Sequence, residues 1–245
     1  MNGIYKIAAC PIEVRSLHRE VHRLCRDYLC EETPEIMVET AQADIEYERE
    51  RSLAEDRAEG RAPIPYTDGY LETLAVYRRI ADRMLSRDTL LFHGSCIAVD
   101  GVGYLFTAKS GTGKSTHTRL WRELFGARAV MVNDDKPLIR ITDGGATVYG
   151  TPWRGKHQLG ENIAVPLRAI CVLERAVTNT IRRVDKMSIY PLLLQQTHRP
   201  KSGADMTKTL TLVDRLTASV GLYRLGCNMD IEAARVAFEG MEKNE

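Results

Sequence analysis

The chain has almost no net charge. Its 34 lysines and arginines against 33 aspartates and glutamates leave +1 over 245 residues. Such a balance provides no long-range field for nucleic acid or an anionic membrane, so neither is an expected partner. No run approaches about 18 uninterrupted apolar residues, which leaves no candidate for a membrane-spanning helix. The first residues, MNGIYKIAACPIEVRS, lack a charged segment followed by a long apolar one, so no leader is expected. The six cysteines fall without C-x-x-C spacing, which argues against a disulfide framework and a zinc ribbon. Internal repeats, low-complexity tracts and heptads are missing as well. These absences together predict a reducing, cytoplasmic location. Apolar residues at 44% and charged residues at 27% are ordinary for a globular chain, so disorder is not the default.

What the sequence does have is concentrated at 104–116, YLFTAKSGTGKST. An apolar run that reads as a buried strand feeds a turn with Gly111 and Gly113, then Lys114-Ser115-Thr116 opening a helix. This is the layout of a phosphate-binding loop, G-x-x-x-x-G-K-[ST], with Ala108 in place of the first glycine. The glycines allow backbone conformations that side chains forbid, so the N–H groups of Ser110, Gly111, Thr112, Gly113, Lys114, Ser115 and Thr116 can face phosphate oxygens. The helix adds the positive end of its dipole. Lys114 supplies a mobile charge for the outer phosphates, and the Ser115 hydroxyl suits a magnesium ion. A nucleoside triphosphate, ATP with magnesium, is the expected ligand.

Further along, Asn133-Asp134-Asp135 ends a short apolar strand about twenty residues past the lysine. Neighbouring side chains on a strand point to opposite faces, but at its end the chain can turn both acids toward one ion. One acid then holds the metal while the other takes a proton from an attacking hydroxyl; an ordinary N-D-D-K turn is the plainer reading. His93 lies in an apolar run, where a hydrogen-bonded core histidine and a functional one are both open readings. In T-P-W-R-G-K-H, Arg154, Lys156 and His157 form a cationic turn suited to phosphate, or an exposed basic turn with Trp153 buried. The polar loop 195–208 is either a cover for the nucleotide or a solvated connector. His18 and His22 stand four apart with Cys25 nearby, but no further ligand accompanies them, so no metal is expected there.

The pattern divides at about residue 86. Before it, two short strands in 4–14, a helix over 17–29 with Leu17, Val21, Leu24 and Tyr28 inward, and a brief strand at 35–40 are expected. A charged stretch at 43–63 reads as solvated helix or loop, followed by a helix capped by Asp68. After it come one strand over 90–99, a hairpin at Asp100-Gly101, a helix to Phe125 and a second hairpin around Asp143-Gly144-Gly145. A buried strand at 167–173 is expected to pair with one at 180–184. Helices at 187–197, 204–218 and 230–241 and a strand at 220–226 complete the reading.

Taken together, His93-Gly94, the hairpin VDGVGYLF, SGTGKS at 110–115, NDD at 133–135 and Arg154-Gly155 before ICVLER resemble the HPr kinase/phosphatase family. Those bacterial enzymes phosphorylate a serine of a sugar-transport carrier protein and share their nucleotide-binding core with the phosphoenolpyruvate carboxykinases. The resemblance covers about 89–175. It implies an α/β fold with a strand-rich mixed-sheet P-loop core over 87–245; the pattern of the chain adds a smaller α+β N-terminal unit over 1–86, unlike the family's usual N-terminal domain, for which acceptor recognition is an open reading. The resemblance further implies that Lys114 contacts the outer phosphates and that Asp134 serves as base for the acceptor hydroxyl. Ser115 and the remaining aspartate, Asp135, would hold magnesium. His93 would lie near the transferred phosphoryl group, and Arg154 would steady its charge. Thr151-Pro152-Trp153 stands where an acidic residue is expected before Arg-Gly. The chain is more similar to shorter relatives acting on free serine or on ribosomally made peptides. The implied partner is a serine-containing peptide, protein or small-molecule acceptor, and a homo-oligomer stays open. An idle nucleotide sensor and a carboxykinase-like enzyme on a small carboxylic acid are the alternatives.

Overall fold

A computed structural model describes residues 1–58, 60, 62–109 and 111–242. The chain separates into two compact units, Met1–Arg83 and Met84–Glu245. It is a mixed α/β protein with one large strand-rich sheet and one small separate sheet.

In the first unit, β1 (Asn2–Ile7) and β2 (Cys10–Arg15) form an antiparallel hairpin, and β3 (Ile36–Glu39) adds in parallel to β2. The hairpin turn is Ala8-Ala9, both with positive φ. Paired positive φ values match the right-handed strand twist, here without the usual glycine or asparagine. The helices are α1 (Arg19–Cys25), α2 (Gln42–Ala58) and α3 (Asp68–Met84). Val21 and Tyr28 are inward as expected, but Leu17 precedes α1 and is 51% exposed. The charged stretch is helical, and it is only partly solvated: Ile45 and Glu48 are buried, with Glu48 accepting from Arg78 Nε at 2.5 Å.

The second unit holds β4 (Thr89–Leu91), β5 (Ser95–Val99), β6 (Val102–Thr107), α4 (Lys114–Phe125), β7 (Ala129–Asn133), β8 (Leu138–Thr142) and β9 (Gly145–Tyr149). It continues with β10 (Ala164–Arg175), β11 (Thr180–Arg183), α5 (Lys186–Gln196), α6 (Gly203–Ser219), β12 (Gly221–Cys227) and α7 (Glu232–Glu242). The sheet runs β4-β8-β9-β10-β6-β5-β7, with β12 also on β10 and β11 on β12. Three expectations need correction. The 90–99 run is two strands, because Phe92-His93-Gly94 breaks the ladder and β4 pairs with β8 while β5 pairs with β6 and β7. The 180–183 strand pairs with β12, since β12 already occupies the open side of β10. The 195–208 loop also shrinks: α5 reaches Gln196 and α6 starts at Gly203.

Side chains alternate along the central strands, with an interruption in β10 at Arg168, and both faces are buried. Ile170 and Val172 of β10 join one core with Leu212 and Leu216 of α6, while Ala169, Cys171 and Leu173 join another with Trp121 of α4 and Ala237 of α7. A period of two with helices on both sides turns such strands into nearly continuous apolar runs. Trp121, fully buried against Phe238 at 5.7 Å between rings, ties α4 to α7. Truncating such a side chain costs about 3–5 kcal/mol. α4 is thereby fixed by its far end, leaving its first turn at the sheet edge.

Candidate functional site

β6 ends in the glycine-bearing loop. Gly111 and Gly113 take φ of +74° and +120°, and an added Cβ at Gly111 would meet nothing within 4 Å. Glycine is therefore required there for conformation rather than for room. Ala108, where the strict pattern has glycine, is buried in the core beneath the loop, a place that accepts a methyl group. Ser110 lies outside the described residues.

α4 starts with Gly113 as its cap, which has no side chain to offer, and its first helical bond runs from His117 N–H to Gly113 C=O at 2.9 Å. The N–H groups of Lys114, Ser115 and Thr116 precede that bond and have no partner within the helix. Three aligned donors at the positive end of the helix make an anion cradle. Lys114 folds back over the loop, its Nζ donating to Ala108 C=O at 3.4 Å. Burial pushes the Lys114 ammonium below its ordinary pKa, and Lys136 adds to this, while Asp135 and Asp134 oppose it. Arg175, at the end of β10, donates from Nη2 to Gly111 C=O at 2.6 Å and so braces the loop from outside.

The acidic side is organised by Asn133, the last residue of β7. Its Oδ1 accepts from the N–H groups of Asp135 (2.9 Å) and Lys136 (2.7 Å). Its Nδ2 donates to the carbonyl (3.1 Å) and hydroxyl (3.0 Å) of Thr151. This Asx turn rotates the chain so that the two acids become inequivalent. Asp134 is buried and accepts from Ser95 Oγ at 2.6 Å. Ser95 has one proton, given to Asp134, so it accepts at 3.1 Å from Thr118 Oγ1, on the second turn of α4. Two hydroxyls thus connect Asp134 to the cradle helix. Asp135 is more open, with Oδ1 at 3.3 Å from both His93 Nε2 and Lys136 Nζ.

His93 reaches this point because the strand breaks there. Its N–H donates to Gln196 C=O at 2.7 Å, its C=O accepts from Thr107 Oγ1 at 3.2 Å, and Gly94 N–H donates to Asp135 C=O at 3.1 Å. Burial, then the charges of Lys136 and Lys114, push the His93 imidazole down to about 4, against the opposing pull of Asp135. Burial thus favours the uncharged form of the His93 ring, whose Nε2 lies 3.3 Å from Asp135 Oδ1.

Lys114, His93, Asp134 and Asp135 therefore share one electrostatic neighbourhood, with Ser115 and Thr116 half-buried on the first turn of the adjoining helix. Arg154 is half-buried; Gly155 beside it has φ +70°, and a Cβ there would come within 2.9 Å of Asp135 Cβ. Trp153 is buried, and Lys156 and His157 are exposed, so only the arginine of the cationic turn is drawn inward. The sequence reading did not single out Ser95, Thr118, Lys136 or Arg175. Arg175 had a legible signal, an exposed cation at the carboxyl end of a buried strand; Ser95 and Thr118 had none. His18 and His22 are spent on structure, bonded to Glu72, and to Tyr5 and Ser16, respectively. Among the described residues no group of three or more His, Cys, Asp or Glu gathers as a metal cage, and no helix is long and apolar enough to cross a membrane.

No family model matches the chain, and no curated protein matches it. Among solved structures it is similar to the HPr(Ser) kinase/phosphatase from Coxiella burnetii, at 12% identity and a TM-score of 0.36, over 62% of this chain and 99% of that one.

Proposed function

We propose that this protein is a kinase that moves the γ-phosphoryl group of ATP to a hydroxyl, with serine of a peptide, protein or free amino acid as acceptor. The observation that carries this reading is the connection between an uncapped helix start and a buried carboxylate: Asp134, Ser95 and Thr118 in series, with Lys114 on the same helix. Donors for a polyphosphate and an acceptor for a proton sit in one place.

The amides of 114–116 and the Lys114 ammonium bind the phosphate oxygens and spread their charge. Asp134 keeps one oxygen on Ser95, so its other oxygen is the one available to the acceptor hydroxyl. As that hydroxyl oxygen bonds to the γ-phosphorus, its proton passes to Asp134, and the bond from phosphorus to the bridging oxygen breaks to release ADP. His93, with Nε2 3.3 Å from Asp135 Oδ1, lies against that carboxylate and limits where it can turn. Arg154, next to Gly155, which packs against Asp135, is the arginine assigned to charge developing on the transferred group. A hydroxyl and one or two carboxylates, completed by phosphates and water, fit magnesium rather than a softer metal. Ser115 and Asp135 would hold it, and it would neutralise phosphate charge when bound. These donors explain why three-acid clustering is not required.

The test is transfer of label from γ-labelled ATP to size-fractionated extract of the source organism. Label entering a protein, peptide or metabolite fraction, lost in Asp134→Asn, is the expected result. Wild-type turnover by Asp134→Asn, or nucleotide binding with no transfer to any fraction, overturns the proposal.

A further inference from the structure

β6, β10 and β12 are adjacent and parallel, so their carboxyl ends share one edge of the sheet. The first leads into the phosphate loop; the others lead into the turns at 176–179 and 228–231. Those two turns carry the most exposed large apolar side chains described in this unit, Val177 at 90% and Met229 at 77%. Neither turn is loose. Asn228 N–H donates to Asn179 Oδ1 at 2.9 Å, and Asn228 Nδ2 donates to Val177 C=O at 3.2 Å and to Asp230 Oδ2 at 2.9 Å. Ala176 N–H closes the pair onto Cys227 C=O at 3.0 Å. Hydrogen bonds between the two turns hold them together, and their apolar side chains are presented to solvent on that braced footing.

Single exposed apolar residues need no explanation. These two stand on the turns that leave the same sheet edge as the cradle loop. Arg175 touches Gly111 C=O and lies two residues before Val177, so the platform begins where the loop's brace ends. From β6 to β12 is two strand spacings, about 9.6 Å, the scale separating a nucleotide's phosphates from its base. Carboxyl ends of parallel strands are also where ligands settle on open α/β sheets.

We infer that Val177 and Met229 form the seat of the purine ring of the nucleotide whose phosphates occupy the cradle. The inference rests on the cradle of the proposed kinase and adds the nucleoside half of that site. Branched methyls and a polarizable thioether cover a ring face and make no hydrogen bond to its edge, so the seat reads ring area.

Calorimetric titration of the full chain with Mg-ATP and with inorganic tripolyphosphate separates the two halves. The wild type is expected to hold ATP about tenfold more tightly than tripolyphosphate, equivalent to roughly 55 Å² of apolar cover. The double variant Val177→Ser/Met229→Ser is expected to lose that preference and bind tripolyphosphate unchanged. Both positions are exposed, so the fold is not at stake. Lys114→Ala should weaken both probes alike. A double variant that keeps the preference, or a wild type with none, overturns the seat and leaves the cradle standing. A wild type that binds neither probe removes the cradle, and the seat with it.

Discussion

Two polar clusters of this chain invite comparison: the one around Glu72 in the first unit and the one around Lys114 in the second. Glu72 is fully buried and accepts from Leu17 N–H (2.7 Å), His18 N–H (2.7 Å), His18 Nδ1 (2.9 Å) and Thr40 Oγ1 (2.6 Å). One carboxylate on α3 thereby fixes the chain between β2 and α1 and the residue after β3. The Lys114 cluster is the reverse. Donors outnumber acceptors, the helix start is uncapped, and its lysine settles for a carbonyl at 3.4 Å. A satisfied cluster contributes stability, and a cluster with surplus donors contributes binding. Burial and charge alone do not tell them apart; counting partners does.

The comparison breaks if either cluster does the other's work. The largest expected effect is at the cradle: Lys114→Ala should lower phosphoryl transfer by about a thousandfold, roughly 4 kcal/mol of transition-state stabilisation, while leaving the urea midpoint unchanged. A thermally destabilised Lys114→Ala with intact turnover would invert the assignment. Next comes Glu72→Ala, which strands four donors, the buried Thr40 hydroxyl among them. It should lower the stability of the first unit by about 3 kcal/mol in a denaturant titration, with ATP affinity retained by the second unit. Arg175→Ala removes only the brace on Gly111, so its Kd for ATP should rise by about tenfold with no change in midpoint; a loss confined to kcat would place Arg175 on the transferring group instead.

The smallest effects are in pH. Burial raises the Glu72 carboxyl, but the bonds from Thr40, Leu17 and His18 outweigh it and hold the group below its ordinary value. A folded pKa below the unfolded one gives stability that is present above about pH 4.3 and is lost as pH falls through the folded value. Glu72→Gln should flatten the acid limb of the unfolding curve. For His93, lowered to about 4, the same sign applies: its contribution is present above the ordinary histidine value and disappears as pH falls toward 4. An NMR titration of the ring should show a midpoint near 4 in the free protein that moves upward when Mg-ATP brings anionic charge. A midpoint at the ordinary histidine value would show the ring to be solvated.

Much of this was legible before any coordinates. The glycines of the loop, the Asp100-Gly101 hairpin and the amphipathic helices follow from local chemistry, because each depends on a few neighbouring residues. The inequivalence of Asp134 and Asp135 was not legible, since Asp134 is singled out by its bond from Ser95, far away in the sequence. Nor was the partner of β11, because β12 competes for the same strand edge from forty residues downstream. The break at His93 was hidden for a similar reason. TLLFHGSCIAV is apolar on both sides of His93-Gly94-Ser95, and only the sheet order shows that its two halves serve different neighbours.

One feature of β10 governs how much change this edge can absorb. The strand pairs with β9 through Pro166 and with β6 from Leu167 onward, and its register slips by one residue at Arg168. Arg168 turns there to donate to the carbonyls of Met241 and Glu242 at the end of α7. Everything downstream takes its phase from that slip. Deleting one residue at the bulge would draw Arg175 back by about 3.3 Å and flip its side chain to the opposite face. Insertions and deletions in homologous chains should therefore collect in the 150–163 connection, upstream of the strand, and spare the irregularity itself.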